Sequence, residues 1–257
     1  MEPDLEQLEV IVGPHSIIHA INNPNRGYKK LFTTNETYSE LQKLYGKKFE
    51  FKTDIFKAHK LQEVAKEKIE ALGFTYRRIP GNAFLLTSKL PEVDNLEIYN
   101  QIEKNDEYRI VVLDQVTDVH NAAAIMRSAA FYNIDLLVVP GKNSFRVGPS
   151  FTRIASGAYE HCQILTVASM AKFLAKIKDK GVSLVGFSEH AKQYCLETTP
   201  RKVALVLGAE DKGLSNATSR LVDELICLKS SGQIHSLNVS VATTVALERV
   251  LNPLKNT

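Results

Sequence analysis

Arg109-Ile-Val-Val-Leu113-Asp-Gln-Val-Thr-Asp-Val-His-Asn121-Ala-Ala-Ala-Ile-Met-Arg127 contains the unit from which the larger part of the chain is built. A short apolar run bounded by polar residues reads as a buried strand, and the alanine-rich sequence over 121–132 reads as the helix that follows it. The same alternation continues outward. Strands are expected over 135–139, 182–187, 203–207 and 225–228, and helices over 149–156, 170–180 and 237–251. Strands that alternate with helices imply parallel pairing with helices on both faces, an α/β fold.

Polar residues or glycines gather at three strand-to-helix junctions. The first is Asn121 to Arg127. The second is Leu207-Gly-Ala-Glu210-Asp-Lys-Gly213, and the third is Ser236-Leu-Asn238-Val-Ser240-Val-Ala242. Open α/β sheets bind ligands at the carboxyl ends of their strands, so the three segments together read as one site.

At 257 residues the chain is long enough for two domains. A small α/β module is expected over 8–87, with helical patterns at 16–21, 38–44 and 54–72 and extended runs at 30–32 and 75–79. Residues 88–106 turn polar and lose periodicity, which is the composition of a linker. The alternating domain then occupies 107–255. The net charge of +3 demands no polyanionic partner, but residues 22–89 hold fourteen Lys/Arg against seven Asp/Glu, including Lys29-Lys30, Lys47-Lys48 and Arg77-Arg78. Such an excess attracts phosphate. It is equally the composition of an ordinary solvated surface, and both readings stay open.

Cys162, Cys195 and Cys227 form no C-x-x-C pair, which argues against a disulfide framework or a cysteine zinc site and fits a reducing cytoplasm. The acidic start, Met1-Glu-Pro-Asp-Leu-Glu6, has no signal-peptide character. Apolar runs such as Leu136-Leu-Val-Val139 fall far short of the roughly 20 residues a membrane helix needs, so a soluble protein is expected.

Each junction has a bland and a chemical reading. Asn121 is a natural helix N-cap. Arg127 either reaches solvent or an internal carboxylate, or offers its permanently charged fork of donors to a phosphate or a hydroxyl. Gly208 and Gly213 permit close backbone approach, yet the Lys-Ser/Thr pair of a P-loop is missing and G-x-G-x-x-G occurs nowhere. Ser236, Asn238 and Ser240 crowd one helix start, where capping accounts for a single polar residue and exposed N–H groups favour an anion. Ser215 and Ser236 lack the G-x-S-x-G elbow of a serine nucleophile. His120 and His235 each precede a motif, and His15 and His19 have helical spacing without further ligands; no metal is expected.

In this order and at these separations the three motifs resemble the SpoU (TrmH) family of knotted RNA 2'-O-ribose methyltransferases. The resemblance covers about 109–250, and the run Leu113-Asp-Gln-Val-Thr-Asp-Val-His-Asn121 is most similar to the bacterial enzymes that methylate a guanosine ribose of 23S ribosomal RNA. Val12-Gly-Pro-His-Ser-Ile-Ile-His-Ala20 is more loosely similar to their substrate-binding domain.

The resemblance implies catalytic roles for Asn121, Arg127, Glu210, Ser236 and Asn238, and S-adenosylmethionine held by the backbone of Gly208, Leu228 and Leu237. It also implies a trefoil-knotted C-terminal domain, preceded by a small α/β RNA-binding domain, and a cytoplasmic homodimer. Ala123 stands where the family usually has glycine, and Leu228-Lys229-Ser230 replaces an apolar-Pro-Met segment. Two other readings remain at this point, methylation of a transfer-RNA ribose and a non-catalytic ribosome-assembly or RNA-binding factor.

Overall fold

The structure is a computed structural model that describes residues 3–252 apart from 47, 143, 189–190, 192, 194–195, 197, 210–211, 229 and 234–235. The chain begins β1 (Leu8–Val12), α1 (Pro14–Asn22), β2 (Lys29–Thr33), α2 (Asn35–Tyr45), β3 (Lys52–Ile55), α3 (Ala58–Ala71) and β4 (Ala83–Ser88). It continues α4 (Asn95–Lys104), β5 (Tyr108–Leu113), α5 (Val119–Phe131), β6 (Leu136–Pro140), α6 (Pro149–Ala155), β7 (Gln163–Val167) and α7 (Met170–Asp179). It closes with β8 (Ser183–Phe187), β9 (Lys202–Leu207), the short α8 (Asn216–Ser219), β10 (Glu224–Ile226) and α9 (Val239–Leu251).

These elements form two compact units. One holds the chain up to Pro91 together with Arg146–Glu160, and the other holds Glu92–Phe145 and the chain from His161 onward.

The first unit is built on a mixed sheet in the order β1-β4-β2-β3, with β4 antiparallel to both neighbours and β2 parallel to β3. One core lies between the sheet and α3, around Leu61, Ala65 and Ile69, with Phe32 and Phe84 stacked 4.5 Å apart. On the other face Ile17, Ile21 and Leu41 pack against Ile11, Leu31 and Leu85.

Arg146–Glu160 belongs to this unit through specific contacts. Ser16 Oγ donates to the Thr152 carbonyl at 2.6 Å. Arg146 donates to the Gly73 carbonyl at 3.3 Å, its guanidinium 4.5 Å from the centre of the Phe74 ring. Gly157 has φ +92°, and a Cβ there would lie 2.3 Å from the His19 ring, so only glycine fits.

The strongest of these contacts is ionic. Arg26, with its side chain wholly buried, grips Glu160 through Nε (3.1 Å) and Nη2 (2.6 Å), and gives Nη1 to the Ser88 carbonyl (2.7 Å) and to Glu9. Two carboxylates share one guanidinium here. Burial holds the Glu9 carboxyl above the usual carboxylate range, against the opposing pull of Arg26.

The second unit carries a wholly parallel sheet in the order β10-β8-β9-β5-β6-β7. Its central strands read as unbroken apolar runs because both faces are covered: Ile110, Val111, Val112 and Leu113 are all fully buried, as are Ala204, Leu205 and Val206. The expected α/β architecture with a parallel sheet is therefore present. Cys162 and Cys227 are free and buried, and burial pushes the Cys162 thiol up to about 12. Among the described residues no helix is long and apolar enough to cross a membrane.

Three local expectations need correction. The polar stretch expected to lack periodicity contains α4, capped by Asp94, whose side chain accepts from Glu97 N at 2.8 Å. Only Ile98 and Ile102, one turn apart, face inward and are fully buried, so polar positions dominate the sequence there. Residues 75–79 form no strand. The helical pattern at 54–72 begins only at Ala58, because β3 takes Lys52–Ile55. The edge strand β7 was not anticipated; exposed Gln163 and Thr166 interrupt its apolar residues.

Candidate active site

The parallel sheet changes direction at β5. After β5 the chain adds β6 and β7 on one side, then crosses over to build β8, β9 and β10 on the other. The carboxyl ends of β5 and β9, paired through Leu113 and Leu207, therefore part at a topological switch point. All three sequence motifs bear on this region.

At the first motif, α5 begins earlier than expected. Asp118 is the N-cap, its side chain accepting from Asn121 N at 2.8 Å, so the capping role expected of Asn121 passes to Asp118. The Asn121 side chain is thereby released for another partner. Its Oδ1 accepts from Asn238 Nδ2 at 3.0 Å, joining the first motif to the third.

Asn238 is itself the cap of α9. Its Oδ1 accepts from Ser240 N at 3.0 Å and from Ser240 Oγ at 2.6 Å, so one carboxamide ties a helix start, a serine and a second helix. Below this pair α5 and α9 stay in register through the Ser128 and Thr244 hydroxyls, 2.7 Å apart. Ser236 is exposed and Leu237 half-exposed at the approach to α9.

At the second motif the chain folds back on itself. Ala209 and Gly213 exchange backbone hydrogen bonds of 3.1 and 2.8 Å. A Cβ on Gly208 would sit 2.1 Å from the Gly213 backbone, which makes glycine obligatory there. Asp114, nearly buried, receives the Ser215 N–H at 2.7 Å while its own N–H reaches the Leu207 carbonyl at 2.8 Å. The ends of β5 and β9 are thus fixed to each other. Glu210 lies outside the described residues, as do His235 and Lys229. Ala123 is fully buried in α5.

Between these elements opens a cleft of about 440 Å³, walled by Asp114, Gln115, Asp118, Asn121, Lys142 and Lys212 among others. Of the side chains expected at the site, Asn121 reaches this wall and Asn238 is bonded to it. Arg127 lies further along α5, exposed and without an ion pair among the described residues. Leu228 follows β10 and is half-buried. His120 is exposed in the first turn of α5.

Sequence reasoning missed Asp114, Gln115 and Asp118. The Asp118-x-x-Asn121 spacing is a usable cap signal. Gln115 gives none, since its distinguishing feature is a backbone angle.

The profile of the SpoU rRNA Methylase family matches residues 108–248, more than half of the chain and all three motifs. The chain belongs to this family. A relative from Acinetobacter baylyi, named 23S rRNA (guanosine-2'-O-)-methyltransferase RlmB, is 35% identical over 160 residues, covering 61% of this chain and 64% of the relative. The protein of the same name from Escherichia coli K12 is 34% identical over 144 residues, covering 55% and 59%. The matched part thus spans about three fifths of these relatives' length.

Among solved structures, the SpoU methyltransferase AviRb from Streptomyces viridochromogenes, in complex with AdoMet, aligns with a TM-score of 0.74 at 19% identity, covering 96% of this chain and 90% of that one. An AdoMet-bound rRNA methyltransferase from Sinorhizobium meliloti aligns at 0.72 and 18% identity, covering 98% and 89%. At such identities the likeness establishes the fold alone. It places this SpoU-family chain in the α/β architecture seen in those enzymes.

Proposed function

We propose that this chain transfers the methyl group of S-adenosylmethionine to a ribose 2'-hydroxyl of RNA, and that the target is a guanosine of 23S ribosomal RNA. The observation that carries the reading is the Asn121–Asn238 hydrogen bond, which joins the first and third motifs inside the family-matched region. The names of the relatives supply the substrate class.

The residues present suit the cofactor. Gly208 lets the Ala209–Gly213 turn close tightly at the carboxyl end of β9, and Leu228 and Leu237 each keep apolar surface accessible, features that suit an adenine ring held through backbone groups. Bound there, S-adenosylmethionine supplies a methyl group already activated by its sulfonium.

What remains for the protein is to orient the acceptor and manage one proton. Asn121 and Asn238, locked to each other, orient the ribose, and aligning reactants in this way is worth several kcal/mol. Arg127 keeps its donors free of any carboxylate among the described residues. It contacts the 2'-oxygen and stabilises the charge that develops as the proton leaves toward the neighbouring phosphate. Ser236 positions the loop before α9, and Glu210 fixes the arrangement by hydrogen bonds.

The module at 8–87 grips RNA through its lysines and arginines, which gives binding a steep salt dependence. Family membership supports a trefoil knot in the C-terminal domain and residence in the cytoplasm. A homodimer is supported by apolar side chains on the two helices that carry the asparagine pair: Phe131 on α5 is 81% exposed and Val241 on α9 is 48% exposed.

The test is methyl transfer from labelled S-adenosylmethionine to separated ribosomal and transfer RNAs, with the product mapped by resistance to alkaline cleavage. Label at one 23S guanosine, absent with Arg127→Ala, is the expected result. Label only on transfer RNA redirects the substrate. Cofactor binding without transfer to any RNA overturns the enzymatic reading.

A further inference from the structure

Gln115 stands out at the switch point for two independent reasons. Its backbone has φ +68°, the left-handed region that glycine occupies freely and that costs a residue bearing a Cβ. The residue is half-buried and lines the 440 Å³ cleft, and its carboxamide has no hydrogen-bond partner among the described residues.

The neighbouring polar side chains each have one oxygen already engaged within the protein. Asp114 receives Ser215 N, Asp118 receives Asn121 N, and the Asn121 oxygen receives Asn238. The cleft lies within the size range of small-ligand sites, and Lys142 and Lys212 are exposed in its wall. A strained backbone that presents an unused donor–acceptor pair to a cavity points to a ligand that uses the pair.

We propose that Gln115 reads the base of the nucleotide being methylated. Its Nε2–H donates to guanine O6 and its Oε1 accepts from guanine N1–H, while Lys142 and Lys212 face the flanking phosphates. The inference rests on the guanosine methyltransferase reading above. RNA targets are recognised in this way when a splayed-out base offers its Watson–Crick edge to side chains. A well-formed bidentate pair is worth roughly ten- to a hundredfold in discrimination. Gln115 acts here as a positioning and specificity residue, not as a participant in methyl transfer.

The experiment is a double cycle on the intact protein. One arm replaces Gln115→Gly, which relieves the backbone. The other replaces the target guanosine of the RNA with unsubstituted purine riboside, which lacks both O6 and N1–H. Wild type is expected to lose roughly ten- to a hundredfold in kcat/KM on the purine RNA. Gln115→Gly is expected to methylate both RNAs at one common reduced rate, with unchanged S-adenosylmethionine affinity by calorimetry and no fall in Tm. Multiplicative losses from the two changes overturn base reading, and so does weakened cofactor binding in the variant. Failure of wild type to methylate the guanosine RNA removes the underlying functional reading instead, so the two failures are separable.

Discussion

Two polar clusters in this molecule answer opposite demands. In the first unit, Arg26 is sealed from water and every nitrogen of its guanidinium has a partner in Glu9, Glu160 or the Ser88 carbonyl. In the second unit, the groups at the switch point are open to a cleft, and those bonded to one another leave Gln115, Lys142 and Lys212 facing it. A buried charge must be fully satisfied to be tolerated, so the first cluster has nothing left to offer a ligand. The second retains unused donors and acceptors because solvent stands in until a substrate arrives. Residual hydrogen-bonding capacity, more than the number of charges, separates a structural cluster from a candidate site.

The contrast is broken most severely at Arg26. Arg26→Met leaves Glu9 and Glu160 buried and facing each other, a loss of about 3–5 kcal/mol that urea unfolding will register. Replacing all three residues with apolar ones of similar volume is expected to recover most of it. If Arg26→Met unfolds like wild type, the cluster is not structural.

Arg127 tests the other side. It is exposed on a helix, and alanine is the better helix former, so Arg127→Ala is expected to stay within about 0.5 kcal/mol of wild type in stability. Methyl transfer is expected to fall at least about a hundredfold, or roughly 2.7 kcal/mol in barrier. Equal losses of stability and activity contradict a chemical role. Asn238→Ala removes the α9 cap and the tie to Asn121, with an expected cost of about 1 kcal/mol in stability and a larger proportional loss of turnover than of cofactor affinity.

The smallest effect is a pH dependence. With its folded pKa raised by burial, Glu9 binds a proton more readily in the folded than in the unfolded chain. Stability should therefore rise as pH falls from neutrality through the raised folded value toward the ordinary carboxylate range, and level off below it. Thermal melting of wild type against Glu9→Gln across that window isolates the increment. A wild-type curve parallel to that of the variant removes Glu9 as its source.

Much of the second unit was legible because parallel strands covered on both faces appear as continuous apolar runs, and β5 and β9 were found within a residue. Half-buried elements were harder. The edge strand β7 and helix α4 each turn only a few side chains inward, so their polar residues dominate the pattern. At the site, the sequence groups Asn121 with Asn238 and offers Asp118 as a cap three residues before Asn121, but it gives no means of knowing that the Asn121 side chain, released from capping, meets Asn238. The left-handed conformation of Gln115 is similarly invisible, since nothing in a glutamine announces a positive φ.

The membership of Arg146–Glu160 in the first unit also constrains the order of events during synthesis. Domains ordinarily fold as they emerge, the N-terminal one first. Here the partner that neutralises Arg26 is Glu160, some 130 residues later, so the leading unit must wait with an unfinished charge pair until most of the chain has been made. For the same reason, a fragment that starts after Pro91 keeps a segment whose buried faces, Phe151 and Ala155 among them, have lost the surface they were made for. Trimming the chain from its front is therefore not a clean way to separate RNA capture from chemistry; point changes on the basic surface are.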